Sequence, residues 1–396
     1  MNILLIGGTG VLSSAVTIEA IRQGFDVTMI NRGNRMNRVP QCVELIKADK
    51  NNHPFIESQL SGRKFDAVID FLCYTRKDLE YSIDLYGPYT NQYFFISSCA
   101  VYKVSNKAVK YDEEAPKVDP LWSYSVDKYA CEMRLIELAR QKKVMYTIVR
   151  PSITYDDTRI PYGISPKYGY HWTLVSRVIA GKPIIRWNMG ENYRNMMRVE
   201  DFAVGVVGLI GNEKAFNEAF NVCGDEAPTY NDVLNVISEY VGIPVKTLDI
   251  SGETYAKELP ARAGEILADR AVSAFFSNAK LKQAVPTFRQ TIGYKEGIRM
   301  TLDAYKNRNF QRGIDWKFDG DSDRIINKYK NMANANGNIG YVDYLNNAKL
   351  SDKIIYWCAR IQPVSISRLY LFTRNKLSFV IRIIRNLKYK LKKPRC

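Results

Sequence analysis

Asn2-Ile3-Leu4-Leu5-Ile6-Gly7-Gly8-Thr9-Gly10-Val11-Leu12-Ser13 opens the chain with a short apolar run, a glycine-rich turn and the first turn of a helix. In that order each small residue has its own task. Gly7 permits the tight turn. Gly10 lets the backbone approach a pyrophosphate, which then rests on the N-terminal N–H groups of the helix. Ser13 takes the third small position, where helix packs against strand. The helix is expected over residues 11–22, closed by Gly24.

Outward from this turn, apolar runs at 27–30, 43–46, 67–71, 93–96 and 145–149 read as further strands. Helical patterns lie around Ile56 and Leu79, and residues 124–140 form a long amphipathic helix. Strands alternating with helices over residues 1–150 predict an α/β fold, a Rossmann-type doubly wound parallel sheet with helices on both faces. After Arg150-Pro151 the texture changes to loops rich in Tyr, Pro and Gly, with helices near 172–180, 199–210 and 230–241. Residues 151–310 are therefore expected to form a smaller mixed α/β substrate lobe over the carboxyl edge of the sheet. Residues 311–350 read as a linker or extension, with a polar stretch at 331–338, and 351–396 as a basic helical tail.

The charge is uneven in a way that decides its meaning. The chain of 396 residues carries a formal +16, yet residues 351–396 hold twelve Lys or Arg against one acid, Asp352, leaving the first 350 residues only mildly basic. In the tail, apolar residues at 377, 380, 381, 384, 387 and 391 make a one-sided helical stripe. Such a helix suits an anionic membrane surface, an acidic partner or, less readily, nucleic acid. The seven cysteines are odd in number and scattered, with no CxxC pair or Cys/His cluster, so no metal site is expected and a reducing cytoplasm fits. No apolar run approaches a membrane span, and no secretory pattern precedes the first strand. Only two histidines, His53 and His171, leave little room for histidine catalysis.

The run Ser123-Tyr124-Ser125-Val126-Asp127-Lys128 places a phenol and an ammonium four residues apart, on one helical face. A nearby cation favours the phenolate, the form that takes a proton from a sugar or alcohol hydroxyl. Ser98, just past the fifth strand, is placed to hydrogen-bond the reacting oxygen. At the end of the second strand, where ribose recognition usually needs a carboxylate, the residues are Asn31-Arg32-Gly33. Asn31 can bond a hydroxyl, and Arg32, with Arg35 and Arg38 nearby, can accept a 2′-phosphate, which leans from NAD toward NADP. Asp49, after the third strand, is a candidate for the adenine.

These motifs together resemble the extended short-chain dehydrogenase/reductase family of nucleotide-sugar epimerases and dehydratases. The resemblance covers residues 1–307. It rests on the order of Gly7-Gly8-Thr9-Gly10 with Ser13, Ser97-Ser98-Cys99-Ala100-Val101-Tyr102, and Asp112-Glu113-Glu114-Ala115-Pro116. Then follow Tyr124 to Lys128 with Glu132, Val149-Arg150-Pro151, and Val199-Glu200-Asp201. It implies a catalytic triad of Ser98, Tyr124 and Lys128, and a cofactor also lined by Val11, Leu12, Phe71 and Pro151. It further implies substrate-diphosphate contacts from Arg194 and Arg262, a homodimer, and a role in polysaccharide synthesis. Family dehydratases place acids directly after the catalytic Ser/Thr, whereas this chain has Cys99 and Ala100, so epimerisation or keto-sugar reduction is expected over loss of water. Ile153 stands where the family often has a substrate-contacting Asn. Residues 150–242 also resemble the chloroplast stem-loop-binding branch, which uses this fold on RNA. Retention of the Tyr/Lys pair favours catalysis over that use.

Overall fold

The computed structural model describes residues 1–105, 110–118, 121–307, 313–330 and 343–361. Its centre is a seven-stranded, wholly parallel sheet. β1 (Asn2–Ile6) lies between β2 (Asp26–Asn31) and β4 (Phe65–Asp70). β3 (Glu44–Lys47) pairs outside β2, and β5 (Thr90–Ile96) pairs with β4. Strand Met145–Pro151 follows β5, and strand Glu218–Val222 forms the far edge. Ile6 is in register with both Ile30 and Asp70, so the strand order reverses at the glycine turn, the place where such sheets bind ligands.

Successive side chains of a strand leave opposite faces, and here both faces are buried. Ile3 and Leu5 join Val16 and Ala20 of helix α1 (Val11–Arg22), together with Phe202 and Val206. Leu4 and Ile6 join the other layer, with Ile56 of α2 (His53–Leu60), Ile83 of α3 (Arg76–Tyr86) and Leu135 of α4 (Ser123–Lys142). Helix α3 starts at a capping box: Thr75 Oγ1 accepts the Asp78 N–H and the Asp78 carboxylate accepts the Thr75 N–H.

The doubly wound sheet is as expected, with one strand that sequence reading missed. Strand Glu218–Val222 and helix Val199–Val207, both from beyond residue 151, return to the sheet. The smaller lobe has its own core. Trp187 packs at 4.8–5.8 Å ring separation against Tyr230, Tyr162 and Tyr255. Two more helices, Trp316–Tyr329 and Leu350–Ile361, pack on each other. The polar stretch 331–338 and the tail stripe 377–391 lie outside the described residues.

Candidate active site

The glycine turn is shaped for a dinucleotide. Gly7 and Gly8 have φ of 114° and 67°, in the region that favours glycine. A Cβ on Gly8 would sit 2.3 Å from the Met29 Cε, and one on Gly7 would crowd Leu72 and Phe71. Gly10 is the N-cap of α1 and supplies no side-chain acceptor, which leaves first-turn N–H groups for an anion. Ser13 Oγ instead accepts the Gly10 N–H at 2.8 Å, which fixes the turn. These residues fit a cofactor pyrophosphate, and Val11, Leu12 and Pro151 line the cleft beside it.

At the adenosine end the expected residues lie at the end of β2, where Asn31 is half-buried, and on the loops that follow β2 and β3. Asn31 Oδ1 accepts the Gly33 N–H at 2.7 Å, Arg32 is exposed, and Arg35 donates to the Thr9 carbonyl. Asp49 is exposed and accepts the Asn51 N–H at 3.0 Å. Phe71 follows β4 beside Gly7.

A cleft of about 350 Å³ opens next to this turn, lined by Ser98 and Tyr124 among others. Ser98 ends the extended segment after β5, and its Oγ accepts the Ala100 N–H at 3.1 Å. Tyr124 lies in the first turn of α4 and stacks on Trp122 at 5.0 Å. Burial pushes the Tyr124 phenol above its ordinary range, and the nearby Ser98 hydroxyl acts in the opposite direction without cancelling it. Lys128 is buried one turn on. Its Nζ donates to the carbonyls of Cys73 at 2.8 Å and Ile96 at 2.9 Å, and lies 6.0 Å from the Tyr124 ring centre. Burial lowers the Lys128 ammonium. Sequence reasoning gave Lys128 the task of acidifying Tyr124; here burial dominates the phenol, with Ser98 as its main counterweight.

One turn beyond Lys128, Glu132 braces the site. Its carboxylate takes a two-pronged ion pair from buried Arg150, at 2.7 and 2.9 Å, and the Ser97 hydroxyl at 2.6 Å. This ties α4 to strand Met145–Pro151 and to the segment carrying Ser98. Cys99 is buried, its thiol donates to the Arg150 carbonyl, and burial raises its pKa, so it supplies no acid or base next to Ser98.

The substrate side is rich in arginine. Arg194 is 1% exposed, pairs with Asp269 at 2.8 Å and lies over Phe276, yet among the described residues its Nε and Nη1 have no partner. Arg262 does not line the cleft. Its guanidinium is held by Glu265 at 2.9 and 3.1 Å and by the Ser165 carbonyl. Arg270 lines the cleft in its stead, because a π-helical turn at Ile266–Arg270 directs Asp269 and Arg270 into it. Arg159, Trp122 and Tyr168 complete the wall. No motif marks Arg159 or Arg270 in the sequence, and only the packing shows which arginines face the cleft. Among the described residues no cluster of His, Cys, Asp and Glu could hold a metal ion.

Comparison with known proteins gives the family and the fold. Residues 3–223 match the model of the NAD dependent epimerase/dehydratase family. The chain is 26% identical over 256 residues to the chloroplast stem-loop binding protein of 41 kDa b of Arabidopsis thaliana, an alignment spanning 61% of this chain and 64% of that one. It is 19% identical over 259 residues to the 2'-dehydrokanamycin reductase of Streptomyces kanamyceticus, covering 65% and 72%. The fold superposes with a TM-score of 0.63 on UDP-glucose 4-epimerase from Thermotoga maritima, solved with UDP-glucose, at 18% identity, covering 78% of this chain and all of that one.

Proposed function

Since the chain belongs to the NAD dependent epimerase/dehydratase family, we propose that it is an NAD(P)-dependent epimerase of a nucleoside-diphosphate sugar, working through a transient keto sugar. The observation that carries this reading is that Ser98, Tyr124 and Arg194 line one cleft beside the glycine turn, with two Arg194 donors unpartnered among the described residues. When bound, the nicotinamide supplies reversible hydride transfer. Tyr124 takes the sugar hydroxyl proton at its phenolic oxygen and later returns it. Ser98 donates to the developing carbonyl oxygen. Lys128, anchored on two carbonyls, adds positive charge behind the phenol. Arg194 offers Nε and Nη1 to the diphosphate. The absence of an acid at Cys99 and Ala100 supports epimerisation over dehydration. Arg32, Arg35 and Arg38 after β2, with no carboxylate at its end, support NADP as the preferred form.

A keto-sugar reductase is the nearest alternative, favoured by the match to a reductase. RNA binding on the same scaffold is the alternative of another class, favoured by the match to a stem-loop binding protein. The reading extends to a homodimer in the cytoplasm. It also takes the basic tail as docking on an anionic membrane surface or an acidic partner, supported by the tail's charge and apolar spacing. Among the described residues no helix is long and apolar enough to cross a membrane.

Incubation of the purified full chain with a panel of UDP-, dTDP- and GDP-sugars, followed by NMR, is expected to show interconversion of two sugar epimers without added cofactor. Net consumption of added NADPH indicates the reductase instead. No turnover, together with RNA binding that weakens steeply with salt, overturns the enzymatic reading.

Ser98→Ala checks the proton path. It removes the hydroxyl whose influence lowers Tyr124, so the phenol ionises at still higher pH. The alkaline rise in kcat/KM is expected to move upward, with turnover at neutral pH down by about 10²-fold. An unshifted pH profile counts against Ser98 acting through Tyr124.

A further inference from the structure

The cleft holds more positive charge than its own carboxylates neutralise. Three guanidinium groups line it, those of Arg159, Arg194 and Arg270. Asp269 pairs with Arg194 at 2.8 Å and with Arg270 at 2.9 Å, and Arg270 also meets Glu265 at 3.4 Å. Arg159 is different. It is half-buried, its Nη1 donates to the Thr154 carbonyl at 3.2 Å, and among the described residues it forms no ion pair.

An uncompensated guanidinium beside a second one is unfavourable inside a protein. Burial and the nearby Arg270 charge both act against the charged form of Arg159, with Glu265 and the Tyr168 phenol the groups that favour it. His171, the other titratable group packed here, is held down at about 3, by burial first and then by Arg159, so it is neutral and supplies no counter-charge. The position is nevertheless built firmly. The Arg159 N–H donates to the Asp156 carbonyl at 3.2 Å, and the Asp156 carboxylate accepts the N–H and hydroxyl of Thr158 at 2.8 and 2.6 Å. A second observation points to a ligand in the same cleft: Arg194, almost wholly buried, keeps two donors without an acceptor among the described residues. A fixed cation without a counter-ion, in a cleft with buried idle donors, is what an anionic ligand would complete.

We propose that Arg159 is a substrate-recognition residue that binds an anionic oxygen group of the sugar nucleotide, either its diphosphate or an acid group on its sugar. This rests on the sugar-nucleotide reading of the cleft and assigns it a third arginine, beyond the positions the motifs supply. Both sources present the same chemistry to Arg159, a pair of negatively charged oxygens that a guanidinium meets with two parallel N–H donors.

The test is calorimetric binding to the full-length, cofactor-loaded protein and to its Arg159→Gln and Arg159→Lys variants. The ligands are UDP and GDP, neutral UDP-glucose and GDP-mannose, and acidic UDP-glucuronic acid. Arg159→Gln is expected to weaken at least one ligand by about tenfold or more, with partial recovery in Arg159→Lys and unchanged melting temperature and cofactor content. Weakening of every ligand, the free nucleoside diphosphates included, assigns the diphosphate; weakening of UDP-glucuronic acid alone assigns a sugar acid. Equal binding by the protein and both variants overturns the role of Arg159 and leaves the sugar-nucleotide reading standing. Loss of cofactor and of thermal stability together with ligand binding, without recovery by lysine, makes Arg159 a structural residue and also overturns the proposal. Failure of the unaltered protein to bind any of the five overturns the proposal, and the same failure with the dTDP-sugars of the turnover panel overturns the sugar-nucleotide reading as well.

Discussion

Tyr124→Phe is expected to lower turnover by about 10³-fold or more while the protein keeps its fold and its bound cofactor. The variant removes one oxygen. The ring stays, with its packing on Trp122, and Ser98 still accepts the Ala100 N–H. The structural loss is one hydroxyl at a half-buried position, worth about 1 kcal/mol at most. The chemical loss is far larger, because the described lining of the cleft offers no second group able to take a proton from a sugar hydroxyl at neutral pH. The Cys99 thiol is pushed up by burial, and the Asp269 carboxylate is held between Arg194 and Arg270. The measurement is single-turnover reduction of bound cofactor followed at its nicotinamide absorbance, alongside a melting curve. Turnover that survives intact removes Tyr124 from the reaction and favours the scaffold reading. A collapse in melting temperature of more than a few degrees would instead mean that the phenol holds the structure.

The parts of the fold that were legible share one property: their signal is local. Residues 11–22 were expected as a helix from the glycine turn before them and Gly24 after, and α1 has those bounds. The strands at 2–6, 27–30 and 93–96 were legible because strands of a buried parallel sheet are apolar on both faces. Strand Glu218–Val222 was not. Glu-Ala-Phe-Asn-Val is short and mixed, and it becomes a strand by pairing with Met145–Pro151, some seventy residues earlier. The site divides the same way. Ser98, Tyr124 and Lys128 sit in spaced motifs, and the structure brings Ser98 and Tyr124 together with Lys128 behind them. Arg159 and Arg270 have no motif, since nothing in a lone arginine tells whether it faces a cleft or solvent. Arg262 and Arg270 are eight residues apart, and a π-helical turn decides between them. Likewise residues 311–350 read as a linker or extension, whereas Trp316–Tyr329 is a helix, because the cations that meet its acids lie some 140 residues upstream.

Those cations give the second large effect: Arg177→Met is expected to destabilise the protein by about 3–5 kcal/mol at neutral pH. Arg177 and Lys182, both buried, face Asp319 and Asp323, whose side chains are fully buried. Arg177 pairs with both carboxylates, and Lys182 reaches them at 3.0 and 2.6 Å. Tyr344 and Tyr356 donate their hydroxyls to the same two acids, so the cluster pins helices Trp316–Tyr329 and Leu350–Ile361 to the smaller lobe. Methionine fills the volume but leaves two buried negative charges with one cation. The pH dependence separates this cause from lost packing. Burial pushes the Asp323 carboxyl up, but Arg177 and Lys182 outweigh it and hold it at about 2, below its ordinary 3.8. A carboxyl depressed in the folded state stabilises above its unfolded pKa, and that contribution, about 2 kcal/mol, fades as pH falls from about 4 to 2. In Arg177→Met the depression is smaller, because Lys182 and Tyr356 alone remain to oppose burial. The gap between the two proteins in denaturant unfolding should therefore be widest near pH 7 and narrow as pH drops below 4, where protonated acids no longer need the guanidinium. A gap independent of pH would mean that Arg177 acts by shape.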